Sequence, residues 1–224
     1  MINPRTDAVY SPATGSCECA ASAHDPKLVA VTGGPGAGKT AVLEIARRSL
    51  CRHVVVLPEA AGIVFGGGFP RKPSVSARCA AQRAILHVQI ELEQVLLGEQ
   101  QAAIGLCDRG TIDSIAYWPG PIEDLWRDVH SDEATQLARY SAVIHLRTPD
   151  VMGYDHSNPL RTESLEDALH LDSLIERAWS QHPNRHVVAS HLSFVDKAAH
   201  ALELIRAELP DCCRGHTANA TAAL

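Results

Sequence analysis

The chain has 224 residues, 46% of them hydrophobic and 21% charged, which suits one globular α/β domain with no need for a second core. Its formal charge of −6 argues against the basic face of a dedicated nucleic-acid binder. No run is long and apolar enough to span a bilayer, and the first residues lack the basic-then-apolar order of a signal peptide, so the expected compartment is the cytoplasm.

Residues 1–26 are rich in Pro, Ser, Ala and Thr without apolar periodicity and read as a flexible arm. A first strand is expected at Lys27–Thr32, and Gly33-Gly34-Pro35-Gly36-Ala37-Gly38-Lys39-Thr40 follows it directly. A helix from Lys39 to Leu50 keeps Val42, Leu43, Ile45, Ala46 and Leu50 on one stripe. His53–Leu57 is a near-continuous apolar run, as in a parallel strand covered on both faces, and it ends in Pro58-Glu59-Ala60. Three consecutive glycines and two prolines make Gly62–Ser74 a mobile loop over the site or a simple connection. Ser76–Gly98 is then a long helix whose expected buried face is Ala77, Ala81, Ile85, Val88, Leu92 and Val95. A third strand, Ala103–Cys107, runs into Asp108-Arg109-Gly110, and weaker helical stretches lead to Tyr140. Ala142–Leu146 is the fourth strand, ending in Arg147-Thr148-Pro149. A polar, turn-forming stretch, Tyr154–Ser164, precedes a helix from Leu165 to about Gln181. His186–Ala189 is the fifth strand, Val195–Leu209 the last helix, and residues 210–224 a patternless tail. Five strands alternating with helices predict a three-layer α/β P-loop NTPase fold, a five-stranded parallel sheet in one domain over residues 27–209.

Gly33 to Thr40 fits G-x-x-x-x-G-K-[ST] in its required context, a strand before and a helix after. The glycines let backbone N–H groups approach phosphate oxygens, and the helix N-terminus adds its positive dipole end. Lys39 is expected on the β- and γ-phosphates and the Thr40 hydroxyl on Mg²⁺. In parallel α/β sheets, ligands gather beyond the carboxyl ends of the strands, where Glu59, Asp108, Arg109 and Arg147 all stand. Asp108 is read as a second hold on Mg²⁺ or as a helix cap, and Arg109 as facing phosphate or a surface ion pair. Glu59 is read as the group that takes the acceptor's hydroxyl proton, or as a solvated loop carboxylate. Arg161, in the polar stretch before the helix expected from Leu165, suits a short lid over the nucleotide, or an ordinary loop. Gln82, Arg83, Asp113 and Tyr117 are weaker candidates, and Ser190–Val195 is the expected surround of the adenine. Cys51, Cys79 and Cys107 read as small hydrophobes; Cys17, Cys19, Cys212 and Cys213 together could offer four thiolate ligands, but neither pair has the C-x₂₋₄-C spacing of structural zinc sites, so a metal is not expected there.

The set GGPGAGKT, PEAA, CDRG, LRTP and NPLRTES resembles the AAA-28-type P-loop ATPase/kinase family, related to nicotinamide riboside kinase domains, over roughly residues 27–209. A more distant likeness is to deoxynucleoside kinases, in which P-E-P and E-R-S carry catalytic residues; Pro58-Glu59-Ala60 and Asp108-Arg109-Gly110 are similar to them. The resemblance implies Glu59 as base, Asp108 near Mg²⁺, Arg109 near the acceptor and Arg161 in a lid. Ala60 in place of proline and Asp108 in place of glutamate depart from the deoxynucleoside pattern. Three functions are weighed: a kinase moving the ATP γ-phosphoryl to a nucleoside-like or vitamin-like hydroxyl, a regulatory ATPase with no small-molecule acceptor and, less favoured, a nucleotide-binding module without turnover. The lack of an [NT]-K-x-D motif argues against a guanine-specific switch. The expected partners are a nucleotide and a small acceptor, without nucleic acid or membrane, for a monomer or homodimer.

Overall fold

The computed structural model describes residues 11–13, 17, 19, 23–149, 164–191 and 193–214. Its sheet has six strands: β1 (Ser11–Pro12), β2 (Lys27–Thr32), β3 (Val54–Leu57), β4 (Ile104–Asp108), β5 (Tyr140–Leu146) and β6 (Arg185–Val188). They lie in the order β1-β3-β4-β2-β5-β6. The five expected strands are all parallel. The sixth, β1, was not expected. It pairs antiparallel with β3, Ser11 opposite Val56 and Pro12 opposite Val55. Two residues carry no periodicity, and a proline is tolerated there because β1 lies at the sheet's edge.

Alternation along the central strand β2 divides the core. Val29 and Val31 turn to one face, where they meet α1 (Lys39–Ser49) and α8 (Phe194–Glu208) through Val42, Ala46, Ala201 and Ile205. Leu28 and Ala30 turn to the other, against α3 (Val75–Glu99) and α7 (Leu165–Ala178) through Leu86, Leu96, Ile175 and Trp179. Both faces are covered, so the strands read as unbroken apolar runs. The chain leaves β2 for β3 and β4 on one side, then crosses to β5 on the other. Strand order therefore reverses at β2, the position where such sheets open a ligand crevice.

Three expectations need correcting. The loop expected from Gly62 begins instead as helix α2 (Ala60–Gly66), which starts directly after Glu59. Seven residues interrupted by Gly62 are too short to show a helical period, and Gly67, Gly68 and Pro70 then end the helix. Second, the patternless tail opens with α9 (Asp211–Arg214), which buries Cys213. Third, α3 presents a different face from the expected one. Ala81, Leu86, Gln89, Glu93 and Leu96 are buried, while Val95 is 51% exposed.

Apolar residues lie nearly all round α3, so spacing alone does not choose its face. A polar cluster does. Glu93 is fully buried, and its carboxylate accepts from Arg139 Nε (2.8 Å), Tyr140 Oη (2.7 Å) and Gln89 Nε2 (2.8 Å). A buried carboxylate is tolerated only when met this completely; breaking such a pair costs about 3–5 kcal/mol. Exposing one valine costs less, about 1.5–3 kcal/mol at most. Short helices α4 (Ser114–Tyr117), α5 (Ile122–Asp128) and α6 (Glu133–Leu137) fill the stretch before β5.

Candidate active site

At the end of β2 the chain turns through Gly33 (φ 136°), Gly36 (φ 77°) and Gly38 (φ 92°), a left-handed path that side chains resist. Two glycines are also fixed by close approach. A Cβ on Gly33 would lie 2.0 Å from the Leu146 carbonyl oxygen, and one on Gly34 would lie 2.4 Å from Thr148 Oγ1. Lys39 opens α1 and is buried, with Nζ donating to the carbonyls of Gly33 (2.9 Å) and Gly34 (3.0 Å). Burial, with the Arg109 charge beside it, lowers the Lys39 ammonium to about 8, against the pull of Asp108, Glu59 and Asp113. Thr40 is exposed at the mouth of the loop.

The neighbouring strand supplies Asp108 as its last residue. Its Oδ1 is buried with no hydrogen-bond partner, and burial raises the carboxyl to about 6, with Lys39 opposing and Glu59 adding to the rise. Such an orphaned carboxylate oxygen beside a phosphate loop has the chemistry a hard cation needs. Arg109 follows with φ 73°, a left-handed conformation that a non-glycine residue adopts at a cost of about 1–3 kcal/mol. The strain is offset by its contacts. Nε donates to Glu59 Oε1 at 2.7 Å and Nη1 to the Gly33 carbonyl at 3.2 Å, and Asp113 Oδ2 lies 3.5 Å away. The guanidinium also lies over the Tyr117 ring, 5.6 Å from its centroid. Asp113 is itself buried, accepting from Thr32 Oγ1 (2.8 Å) and Trp179 Nε1 (2.6 Å), and it positions Arg109 from the wall of the site.

Glu59, Arg109, Pro35 and Tyr117 line a cavity of about 570 Å³ beside the P-loop. Its other walls come from α2 and the first turns of α3: Phe65, Ala81, Gln82, Ile85 and Gln89, with Arg71, Lys72 and Arg78 among its lining. Gln82 thus lies at the cavity, whereas Arg83 turns away and pairs with Asp128 at 2.8 Å. Phe194, about half exposed, approaches Gly38 from the start of α8, with the more exposed Val195 beside it. Tyr154–Glu163 and Arg161 lie outside the described residues.

A supporting group behind the loop escaped the sequence reading. Asp172 on α7 is buried and accepts from Gly34 N (2.8 Å), His145 Nε2 (3.0 Å) and Arg147 Nη1 (3.2 Å). Thr148 Oγ1 donates to the Pro35 carbonyl at 3.2 Å, and buried Lys197 donates to the Arg147 carbonyl at 2.8 Å. Arg147 therefore braces α7, where it also pairs with Glu176. One signal was legible: Asp172 sits among the buried positions Ala168 and Ile175, four and three residues away on one helical face.

Burial alone would raise the Asp172 carboxyl, but His145, the Gly34 N–H and Arg147 outweigh it and bring it to about 2. The stabilisation is present above the ordinary carboxyl range, near 3.9, and is lost as pH falls towards 2. Asp172→Asn is expected to lower stability by about 1–3 kcal/mol at neutral pH in urea unfolding. The gap from wild type should close between about pH 4 and pH 2. A gap that stays constant with pH would show that the carboxylate charge is not what holds the loop.

A parallel sheet reversing at a glycine loop, with a lysine and threonine opening the next helix, defines a P-loop nucleotide-binding protein. The AAA domain family model AAA_28 matches residues 28–196, and the chain belongs to that family, a class of ATP-using P-loop enzymes spanning kinases and ATPases. In three dimensions the chain is similar to a solved structure, the NadR protein in complex with NAD and AMP-PNP, at TM-score 0.58 and 14% identity. The match covers 82% of this chain and 49% of that one, so the chain spans about half the neighbour's length. No curated protein matches in sequence.

Proposed function

We propose that the protein is a small-molecule kinase that moves the ATP γ-phosphoryl group to a hydroxyl of a nucleoside-like or vitamin-like acceptor. The observation that carries this reading is the 570 Å³ cavity with Glu59 and Arg109 in its lining and the P-loop's Pro35 on one wall. Hydrolysis needs room for a water molecule, about 30 Å³, whereas this volume suits a small organic acceptor. The NAD and AMP-PNP bound by the NadR neighbour accord with a nucleotide donor and a nucleotide-like acceptor.

In this reading the Gly33–Thr40 backbone and Lys39 hold the donor phosphates. Phe194 and Val195 offer the purine an apolar face. Thr40 and Asp108 would hold Mg²⁺, which supplies charge neutralisation on the β- and γ-oxygens when bound. Glu59 accepts the acceptor's hydroxyl proton while the hydroxyl oxygen bonds to the γ-phosphorus. The bond from that phosphorus to the β-bridging oxygen breaks, and ADP leaves. Arg109 orients Glu59 and faces the transferred group, and Arg161 would close from a lid. The cations Arg71, Lys72 and Arg78 favour an acceptor with a negative or strongly polar group.

The test is ADP release from ATP with Mg²⁺, read alone and with a panel of nucleosides, nicotinamide riboside and small vitamins. Acceptor-dependent release, with a phosphorylated product found by mass, is expected for at least one compound class. ADP formed at one rate regardless of every acceptor would favour the regulatory ATPase instead.

A further inference from the structure

Two described segments distant in sequence, Cys17 and Cys19 on one side and the short helix α9 on the other, come together beside the start of β3 and bring their cysteines with them. Cys17 and Cys19 of the arm pack against the core cluster that includes Cys51, Leu209 and Cys213. His53, buried in the turn before β3, joins them. The ligand atoms of Cys17, Cys19, His53 and Cys213 all lie within 4.8 Å of one another. His53 Nδ1 is 3.4 Å from Cys213 Sγ. Spacing along the chain argued against zinc because the ligands come from three separate segments, and only the fold assembles them.

We propose that these four residues form a structural zinc site. Zn–S bonds of about 2.3 Å and Zn–N bonds of about 2.0–2.1 Å give tetrahedral ligand edges of roughly 3.5–3.8 Å. The observed separations need only a small contraction to reach that. Three thiols and one imidazole make a Cys₃His set, which suits Zn²⁺ and leaves no open position for catalysis. Binding expels the three thiol protons and leaves His53 neutral. His53 and Cys213 are buried and the arm cysteines half buried, so most of the ligand set is withdrawn from solvent. A second set, His24, Cys212 and Cys213, offers three ligands with Cys212 exposed, and makes a poorer cage. The role is mechanical. The ion ties the arm, the amino end of β3 and α9 into one knot, and β3 carries Glu59 beyond its other end.

Cysteine clusters also pack simply as small hydrophobes or oxidise to disulfides, and the experiment separates these. The full-length chain, purified without added metal, is analysed for zinc by mass spectrometry of the elements and for free thiols. One Zn²⁺ per chain is expected. Chelator-stripped protein should take up Co²⁺ with the thiolate-to-cobalt charge-transfer band and intense visible absorption of a tetrahedral site. Cys17→Ser, Cys19→Ser and Cys213→Ser should each lose the metal and lower the Tm; Cys79→Ser, on α3, and Cys212→Ser should keep it. The two arm variants lie outside the parallel sheet, so they remain informative if Cys213→Ser does not fold. Failure to bind either metal, a disulfide within the set in the intact mass, or loss of metal in Cys212→Ser but not in Cys17→Ser would overturn the assignment.

Discussion

Lys39→Ala is expected to reduce turnover by about 10²–10³-fold or more while leaving the fold at least as stable as the wild type. The first half follows from position. Nζ rests on the Gly33 and Gly34 carbonyls, inside the curve that the loop glycines make for phosphate, and no other lysine lies there among the described residues. A preorganised cation on the transferring group is worth several kcal/mol in a water-excluded site, the range found for single donors to developing charge. Arg109, tied to Glu59 and Asp113, is already committed and cannot replace it.

The second half follows from the cost of burying that ammonium. Burial and the nearby Arg109 charge lower the Lys39 ammonium to about 8, so the unfolded chain holds this proton more tightly than the folded one. Stability therefore rises with pH between about 8 and about 10.5 in the wild type, and that rise should vanish in Lys39→Ala. Urea unfolding across this window, beside steady-state ADP release at neutral pH, checks both halves. Unchanged turnover would refute the phosphate-loop assignment. Lost turnover with a marked fall in stability would show that the lysine acts as a strut for the empty loop.

Much of this architecture was legible because its signals are local. The five parallel strands are buried on both faces, so each appears as an apolar run, and the glycine loop announces itself by residue type. Glu59, Asp108 and Arg109 were placed at one rim by the rule that parallel strands end together, and the structure brings them there with Lys39. What could not be read depends on contacts between distant segments. The face that α3 buries is selected by Glu93 meeting Arg139 and Tyr140, residues 46 and 47 positions away. Asp172 supports Gly34 across 138 residues. The cysteine cluster needs three segments at once, and the Arg109–Glu59 contact relies on a left-handed turn that nothing in Asp108-Arg109-Gly110 announces. Helix α2 was missed for a different reason, being too short and too glycine-rich to show a period.

Glu59→Gln should lower phosphoryl transfer by about 10²–10⁴-fold, the usual range for a positioned general base, and leave ATP affinity within a few-fold. Glu59 immediately precedes α2, and its side chain is 41% exposed on the cavity wall while accepting from Arg109 Nε. Glutamine keeps an oxygen for that hydrogen bond and nearly the same shape, so Arg109 and the cavity should hold their places. What it removes is the capacity to take a proton. The loss should therefore fall on kcat, with the acceptor's KM little changed. Glu59→Ala makes the contrast: it also frees Arg109, so the acceptor's KM should rise as well. Any slow hydrolysis of ATP should survive Glu59→Gln better than transfer does, because the phosphate loop and Lys39 are untouched. If the glutamine variant transfers at the wild-type rate, the proton has another destination and Glu59 serves only to hold Arg109. If it loses ATP binding as well, Glu59 belongs to the donor half of the site rather than to the acceptor.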